Sequence, residues 1–256
     1  MENKKIVLLV GKGVSSNIVF HALNNKFNIY TVIAEEKESK RIFISRRIKK
    51  LGVFKVVGQV LFQLLVVPAL NFYSKKEISL ISKEYNLNDD EIAREKILNV
   101  KSINEDSVAH TLASIQPDVI VVNGTRIISK KILSVIKCPV INTHAGITPM
   151  YRGVHGAYWA MVNKEPEHCG VTVHLIDAGI DTGDVVYQSL ISVERSDTFA
   201  TYPLKQLAAG IPLLTNAVED ALAGNIKAFK PFGKSGLWYH PTIWQYFYHL
   251  IFRRIK

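Results

Sequence analysis

Apolar residues in this chain fall into short unbroken runs separated by stretches of helical period. Ile6 to Val10, Ile29 to Ile33, Ile97 to Val100 and Asp118 to Val122 read as strands, as does the run from Val140 into Asn142. Between them, Ser15 to Asn24, Glu105 to Ser114 and Ser129 to Ile136 carry helical patterns; Asn104 is placed to cap the second, and Cys138-Pro139 ends the third. The polar stretch Ser82 to Glu95 reads as a loop with a short helix. From Gly170 to Ile176, Val171, Val173 and Leu175 alternate with Thr172 and His174, the mark of a half-buried strand, and Asp184 to Ile191 pairs with it as a hairpin across the turn Gly179 to Gly183. Asp197 is placed to cap a helix toward Ala208, Gly210 and Pro212 should break it, and a last amphipathic helix should end at Gly224. Repeated βα units imply an α/β, Rossmann-like fold: a mainly parallel twisted sheet with helices on both faces and a C-terminal hairpin and tail. The pattern divides the chain into a domain over 1–224 and an aromatic, basic extension over 225–256.

Composition adds little until the charge is located. The 256 residues are 48% hydrophobic and carry a net charge of +10, which fits one globular domain with an extension. Residues 39–76 hold nine Lys or Arg and no acid, leaving 23 basic against 22 acidic residues elsewhere. Within that segment the apolar run Val56 to Leu70 is shorter than the roughly 20 residues of a spanning helix and is interrupted by Gly58, Gln59, Gln63 and Pro68, so it should not cross a bilayer. Three readings stay open for the segment: one or two helices packed on the sheet, docking to an anionic membrane surface, or binding of a phosphorylated substrate. The tail repeats the combination, with aromatics followed by Arg253-Arg254-Ile255-Lys256. No nucleic-acid-binding motif accompanies the charge, so no nucleic-acid partner is expected.

The chain holds two cysteines, Cys138 and Cys169, without metal-ligand spacing, which suits a reducing cytosol. Met1 to Lys5 runs directly into the first strand without the apolar core of a signal peptide. These features together predict a cytoplasmic protein, with peripheral contact at the inner face of the membrane if the basic segment serves that purpose. The aromatic tail, including Trp238, Trp244 and Phe247, implies either a cover on the same core or a homodimer interface.

Candidate chemistry sits at two places. Gly11, Gly13, Ser15, Ser16 and Asn17 follow the first strand and open a helix, where backbone amides can hold a phosphate. Ser16 stands where a dinucleotide fingerprint has its third glycine, and the ending of a P-loop is absent, so a tight strand-to-helix turn is an equal reading. The second place is Val140 to Asp184. Asn142 and His144, two apart on a strand, share a face, and Asp181 lies in the Gly179 to Gly183 turn. An amide and an imidazole aimed at a carbonyl oxygen stabilise the charge that forms when an amine attacks, and a carboxylate beside the imidazole helps move the released proton. Taken singly, His144 reads first as a structural histidine, and Asp181 reads equally as a turn residue. No metal is needed, and no zinc spacing is present.

In order, Asn142-Thr143-His144, Pro149-Met150-Tyr151-Arg152-Gly153, Gly170-Val171-Thr172-Val173-His174 and Asp181-Thr182-Gly183-Asp184 resemble the folate-dependent formyltransferase family, most of all its amino-sugar branch. The resemblance covers most of Pro117 to Gly224. It implies the Rossmann-like formyltransferase fold, Asn142, His144 and Asp181 as a catalytic triad, and 10-formyltetrahydrofolate as co-substrate. It also implies that Asn123 to Ser129, with Arg126, Ile127 and Ile128, reads the pteridine, and that Asp177, Gly179 and Ile180 form the opposite wall. Where the family has Ser-Leu-Leu-Pro after the histidine, this chain has Gly146-Ile147-Thr148-Pro149.

By the same resemblance the acceptor is the primary amine of an amino sugar, nucleotide-linked, for surface polysaccharide of the O-antigen type. Gly11, Gly13, Ser15, Ser16 and Asn17, with Tyr151, Arg152 and Gly153, are its candidate contacts; Arg152 suits a diphosphate. The chain stops before the C-terminal β-barrel of methionyl-tRNA formyltransferases, which disfavours tRNA. Glycinamide ribonucleotide formyltransferase is the second reading and formyltetrahydrofolate hydrolase the third. A membrane-surface binding protein with a vestigial site is the reading from another class.

Overall fold

The computed structural model describes residues 4–256; the charged start Met1 to Asn3 lies outside them. In chain order the elements are β1 (Ile6–Gly11), α1 (Val14–Asn24), β2 (Ile29–Glu35), α2 (Lys40–Leu51), α3 (Val53–Leu61), a π-helical turn (Phe62–Val66), α4 (Val67–Tyr73) and α5 (Lys75–Glu84). Then come β3 (Ile97–Val100), α6 (Asp106–Ile115), β4 (Val119–Asn123), α7 (Lys130–Val135), β5 (Val140–His144), β6 (Arg152–Gly153), α8 (Gly156–Val162) and β7 (Gly170–Leu175). β8 (Val185–Leu190), α9 (Tyr202–Leu222), β9 (Leu237–Trp238) and α10 (Ile243–Arg253) complete the chain.

Seven strands form one sheet in the order β3-β2-β1-β4-β5-β7-β8. The first five run parallel, and β7 and β8 are antiparallel. Side chains of β1 alternate between two cores: Ile6, Leu8 and Val10 pack with Leu23 and Val218 from α1 and α9, whereas Val7 and Leu9 pack with Val108, Leu112 and Ile132 from α6 and α7. Burial on both sides is why these strands are unbroken β-branched and leucine runs. β1 pairs with β2 on one side and β4 on the other, so the strand order reverses there, and a crevice opens at the carboxyl ends of β1 and β4.

A third cluster lies off the sheet. Phe62, Val66, Tyr151, Tyr158, Trp159, Phe199 and Tyr246 pack together, joining the rod of α3 and α4, α8 and the tail helix α10. Trp159 Nε1 donates to Tyr239 O, and Trp238 Nε1 donates to Met150 O. The tail is therefore a cover on this chain's own core as far as β9 and the buried face of α10.

Several local expectations are corrected. One helix runs from Tyr202 through Gly210 and Pro212 to Leu222, because Leu214, Ala217 and Val218 are held in the core and a Cβ at Gly210 would press on Thr143 and Val171; packing outweighs propensity. Asp197 is not its cap: the carboxylate accepts from Glu194 N, Thr201 Oγ1 and Lys205 Nζ. Asn104 does not cap α6 but ties loops together, donating to Ile127 O and accepting from Ser129 N. Gly170 to His174 is buried on both faces rather than one, since α9 covers one side and the Gly146 to Pro149 loop the other. The basic segment folds as several helices, and Val53 to Tyr73 forms a continuous rod of 21 residues, apolar enough by length and composition to cross a membrane. Val67 N–H reaches back to Phe62 O, and this wider turn just before Pro68 accommodates the missing proline donor.

Candidate active site

Asn142 and His144 lie at the carboxyl end of β5, where the register pairs them with His174 and Thr172 of β7. All four side chains point to the face away from α9; Thr143 and Val171 point toward it. Thr172 Oγ1 donates to Gly146 O and accepts from Thr148 N, fixing the loop that leaves β5. That loop contains the cis Thr148-Pro149 peptide and turns back so that Tyr151 N donates to Ile147 O. The Tyr151 carbonyl thereby lies 2.7 Å from His144 Nε2, whose N–H donates to it.

The other imidazole nitrogen, Nδ1, is 3.3 Å from Asp181 Oδ2. Asp181 takes a left-handed backbone conformation, φ 49°, which bends the turn so that its carboxylate points back under β5. Oδ2 also accepts from Gly153 N at 3.0 Å, and Oδ1 lies 3.6 Å from His174 Nε2. His174 Nδ1 donates to Leu175 O, which leaves Nε2 to accept from Asn142 Nδ2 at 3.1 Å. Amide, two imidazoles and carboxylate form one contiguous polar group, with the Asn142–His174 hydrogen bond on one side and both imidazoles drawn close to Asp181.

The buried position of His144 pushes its pKa down from 6.5, against the opposing pull of Asp181 and the Tyr151 carbonyl; His174 and Arg152 lower it further. For Asp181, burial would raise the pKa, but the charge of His144, with His174 and the Gly153 N–H, outweighs it and holds the carboxyl at about 2. Asp181 is thus ionised at neutral pH.

The tail completes this arrangement. Arg152–Gly153 pairs with Leu237–Trp238, and Arg152 N and Val154 N donate to Gly236 O and Trp238 O. This fixes the Gly153 amide that holds Asp181, so residues 236–238 shape the site although the expected boundary placed them in an extension.

A cavity of about 350 Å³ opens beside these groups, lined by Val122, Gly124 to Ile128, Asn142 to Ala145, Gly153, Val154, His174 and Ile176, Asp177 and Gly179 to Asp181. Of the stretch Asn123 to Ser129 expected to read a pteridine, Gly124 to Ile128 line it and Asn123 and Ser129 do not; Asp177, Gly179 and Ile180 of the expected opposite wall line it as well. Arg126 lines it by its backbone: its guanidinium is held by Glu35 Oε1, Lys101 O and Glu36 O, and its N–H by Glu35 Oε2. Asp177 Oδ1 accepts from Gly179 N and Thr182 Oγ1, which shapes the opposite wall.

A second, basic groove of about 840 Å³ shares Gly124 to Ile127 and Ile180 with this cavity. Gly11, Lys12, Lys37, Lys40, Arg46, Arg47, Lys50, Phe43 and Tyr239 also line it, with Glu35, Glu36 and Glu38. Glu35 is paired to Arg126 and Glu38 to Arg46, so Lys12, Lys37, Lys40, Arg47 and Lys50 face Glu36 alone. Reasoning from sequence kept binding of a phosphorylated substrate open for residues 39–76 without placing this groove, and it gave His174 no role in the site. The run of basic residues from Lys40 to Lys50 was the available signal for the groove, but nothing in the chain said which way α2 faced.

The candidate acceptor contacts are only partly brought together. Gly11 lines the basic groove, and its lack of a side chain has a packing cause, since a Cβ there would overlap Gly124 O. Ser16 Oγ donates to Gly11 O, Asn123 Nδ2 donates to Ser15 and Ser16, and Asn17 Nδ2 donates to Asp89 O. Those three side chains are committed within the protein; Gly13 stands open, with nothing within 4 Å of a Cβ. Tyr151 is buried, with its hydroxyl on Glu165 at 2.5 Å. Arg152 lies on the other side, donating to Ile180 O, with its Nε buried and unpartnered. Among the described residues no group of three or more His, Cys, Asp or Glu is placed to hold a metal ion.

Methionyl-tRNA formyltransferase of Thermodesulfovibrio yellowstonii is 34% identical over 127 residues, 49% of this chain and 41% of that protein. The enzyme of the same name from Pelotomaculum thermopropionicum is 38% identical over 109 residues, 42% of this chain and 34% of that protein. The chain thus matches less than half the length of these curated relatives. Among solved structures, a 4-N formyltransferase from Francisella tularensis aligns over 92% of this chain and 76% of its own, with a TM-score of 0.56 and 19% identity. Phosphoribosylglycinamide formyltransferase from Anaplasma phagocytophilum aligns over 91% and 97%, with a TM-score of 0.57 and 18% identity. At those identities the likeness shows the fold. The model of the family described as Formyl transferase matches residues 71–218, more than half of the chain and the part that holds Asn142, His144 and Asp181, and the chain belongs to that family.

Proposed function

We propose that this chain is an N-formyltransferase that moves the formyl group of 10-formyltetrahydrofolate to the primary amine of a nucleotide-linked amino sugar. The observation that carries the transfer is the group Asn142, His144, His174 and Asp181 at the edge of a cavity whose size is at the lower end of the roughly 300–1,000 Å³ of small-molecule sites. Such a cavity suits one flat ring system, and the backbone of Gly124 to Ile128 and of Asp177 to Ile180 supplies donors and acceptors for its edge. The remainder of a folate extends toward solvent.

In this reading the amine nitrogen attacks the formyl carbon. A bond forms from nitrogen to carbon, negative charge gathers on the formyl oxygen, and the Asn142 amide and the His144 imidazole stabilise it. The proton lost by the amine passes, directly or through water, to the His144 imidazole, whose charged form the ionised Asp181 beside it supports. Return of a proton to the departing nitrogen of the folate breaks the carbon–nitrogen bond and leaves a formamide and tetrahydrofolate. Side chains move protons and hold charge, and no covalent link to the protein is required.

The basic groove supports a phosphorylated acceptor. Five cations opposed by one carboxylate, beside the cavity and flanked by Phe43 and Tyr239, suit the diphosphate and base of a nucleotide. The unpartnered Arg152 Nε offers a further donor. A second reading, formylation of methionyl-tRNA, is favoured by the names of the curated relatives. Incubating the protein with 10-formyltetrahydrofolate and, separately, nucleotide-linked amino sugars, glycinamide ribonucleotide and methionyl-tRNA distinguishes them by tetrahydrofolate release. Turnover with an amino-sugar nucleotide is expected. Turnover with methionyl-tRNA alone overturns the acceptor, and release without any amine identifies a hydrolase.

A further inference from the structure

The rod Val53 to Tyr73 departs from the rule that a surface helix is apolar toward the core and polar toward water. Val56, Gln59, Phe62 and Val66 are buried against the core. The opposite arc carries Phe54, Val57, Leu61, Leu64, Leu65 and Phe72, spaced to lie within about one third of the helix circumference, and Phe54, Leu64, Leu65 and Phe72 are 60–75% exposed. From Val56 to Ser74 no residue is charged. Helix α10 repeats the pattern with exposed Trp244, Phe247, Tyr248, Ile251 and Phe252. The two stripes meet where Phe54 stacks on Trp244, ring centroids 4.3 Å apart.

Charge identifies what covers this face. Residues 39–76 hold nine Lys or Arg and residues 221–256 six, with no acid in either segment; together they supply the rod, α10 and their flanks. Lys75 and Lys76 stand exposed at one end of the rod, Lys49, Lys50 and Lys55 at the other, and Arg253 and Arg254 at the end of α10. A two-fold dimer through this face would set the same patch against itself, with basic residues opposing basic residues, which is costly. Scattered exposed apolar residues need no explanation, but a continuous apolar face rimmed by one sign of charge does. Residues 53–70 and the whole tail also lie outside the span that the family model matches, so the shared fold does not account for them.

We propose that the face formed by the rod and α10 docks on an anionic lipid bilayer, lying in the interface with its apolar stripe among the acyl chains and its lysines and arginines at the headgroups. The rod does not cross the bilayer, because its other face is built into the aromatic core. Helix α2 lines the basic groove with Arg46, Arg47 and Lys50 and leads directly into the rod, so docking brings the groove close to the membrane surface.

Flotation of the full chain with vesicles tests this. Binding is expected to vesicles containing roughly a third phosphatidylglycerol, and not to pure phosphatidylcholine, with release at high salt. Lys75→Gln/Lys76→Gln should lower the partition coefficient about 25-fold, from about 1 kcal/mol per basic residue. Leu64→Ser/Leu65→Ser should abolish flotation while the thermal midpoint stays at or above that of the parent, since both side chains are exposed. Absence of binding to anionic vesicles, equal binding to neutral ones, or variants that float like the parent overturn the proposal. So does a parent dimer in solution that Leu64→Ser/Leu65→Ser converts to a monomer, which assigns the face to a second copy. Retention through alkaline carbonate extraction overturns it in favour of a spanning rod.

Discussion

Gly146 gives a sharp test of how the site is held. A Cβ at this position overlaps the Tyr151 carbonyl oxygen and comes within 2.7 Å of His144 Nε2, the two atoms joined by the 2.7 Å hydrogen bond that orients the imidazole. Gly146→Ala therefore cannot be absorbed by a side-chain rotation; the carbonyl must move by about an ångström, and the hydrogen bond goes with it. Losing that buried bond costs about 1–3 kcal/mol, and overpacking adds about 1–3 kcal/mol. The expected destabilisation is about 2–6 kcal/mol, and at about 2–4 °C per kcal/mol for a chain of this size the melting midpoint falls by about 4–24 °C.

Displacing the imidazole by about an ångström should also cost about 10²–10³ in kcat, while the Gly124 to Ile128 wall is untouched and KM for the folate stays nearly constant. Steady-state kinetics well below both melting midpoints separate the two effects. A variant with a lowered midpoint but parental kcat would show that His144 needs no support from Tyr151 O. Parental values of both would refute the packing argument itself.

Other outcomes follow from the same geometry. His144→Ala should remain folded and lose turnover by about 10²-fold or more, and parental turnover would remove His144 from the mechanism. Asp181→Asn removes a charge that supports the imidazolium, so the His144 pKa, followed by imidazole NMR, should drop further below 6.5; an unchanged or raised value contradicts the pairing. Against the effect of burial, the folded Asp181 carboxyl is held at about 2, below the ordinary carboxylate value of 3.8, by the charge of His144, with His174 and the Gly153 N–H. Its contribution, about 2 kcal/mol, is complete above pH ~4 and lost as pH falls through ~2, so urea midpoints of the parent should decline over that window more steeply than those of Asp181→Asn. Arg47→Gln in the basic groove should raise KM for a nucleotide-linked acceptor about tenfold or more with kcat at saturation retained. Equal KM values would move the acceptor's phosphates elsewhere.

Much of the fold was legible because strands buried on two faces leave little room for polar residues. Ile6 to Val10 and Asp118 to Val122 mark themselves, and the two-residue spacing of Asn142 and His144 places both on one face. The left-handed turn that returns Asp181 to His144 spans only Gly179 to Gly183 and was local enough to be inferred. What stayed hidden is long-range. His174 meets Asn142 only because β7 runs antiparallel to β5 in one register, and no local pattern specifies that neighbour. The Gly153 amide is fixed by residues 236–238, more than eighty positions away in the chain. Helix α9 continues through Pro212 for a similar reason: contacts of Leu214, Ala217 and Val218 across the sheet outweigh a local breaker.

The same long-range closure has a chemical consequence. His144 presents both ring nitrogens to acceptors, Nε2 to the Tyr151 carbonyl and Nδ1 to an ionised carboxylate, yet a neutral imidazole has one N–H to give. Two acceptors favour the doubly protonated ring, and burial disfavours it; the balance lies with the neutral form. In the proposed transfer, a developing oxyanion brought against this group would add negative charge while Asp181 stays ionised, so the balance would shift toward imidazolium as the amine attacks. The proton that the amine must lose is the one that the imidazole then gains in affinity for. In the proposed transfer, His144 would be held neutral until charge develops beside it, and its pair with Asp181 would make stabilisation of the oxyanion and acceptance of the proton one event.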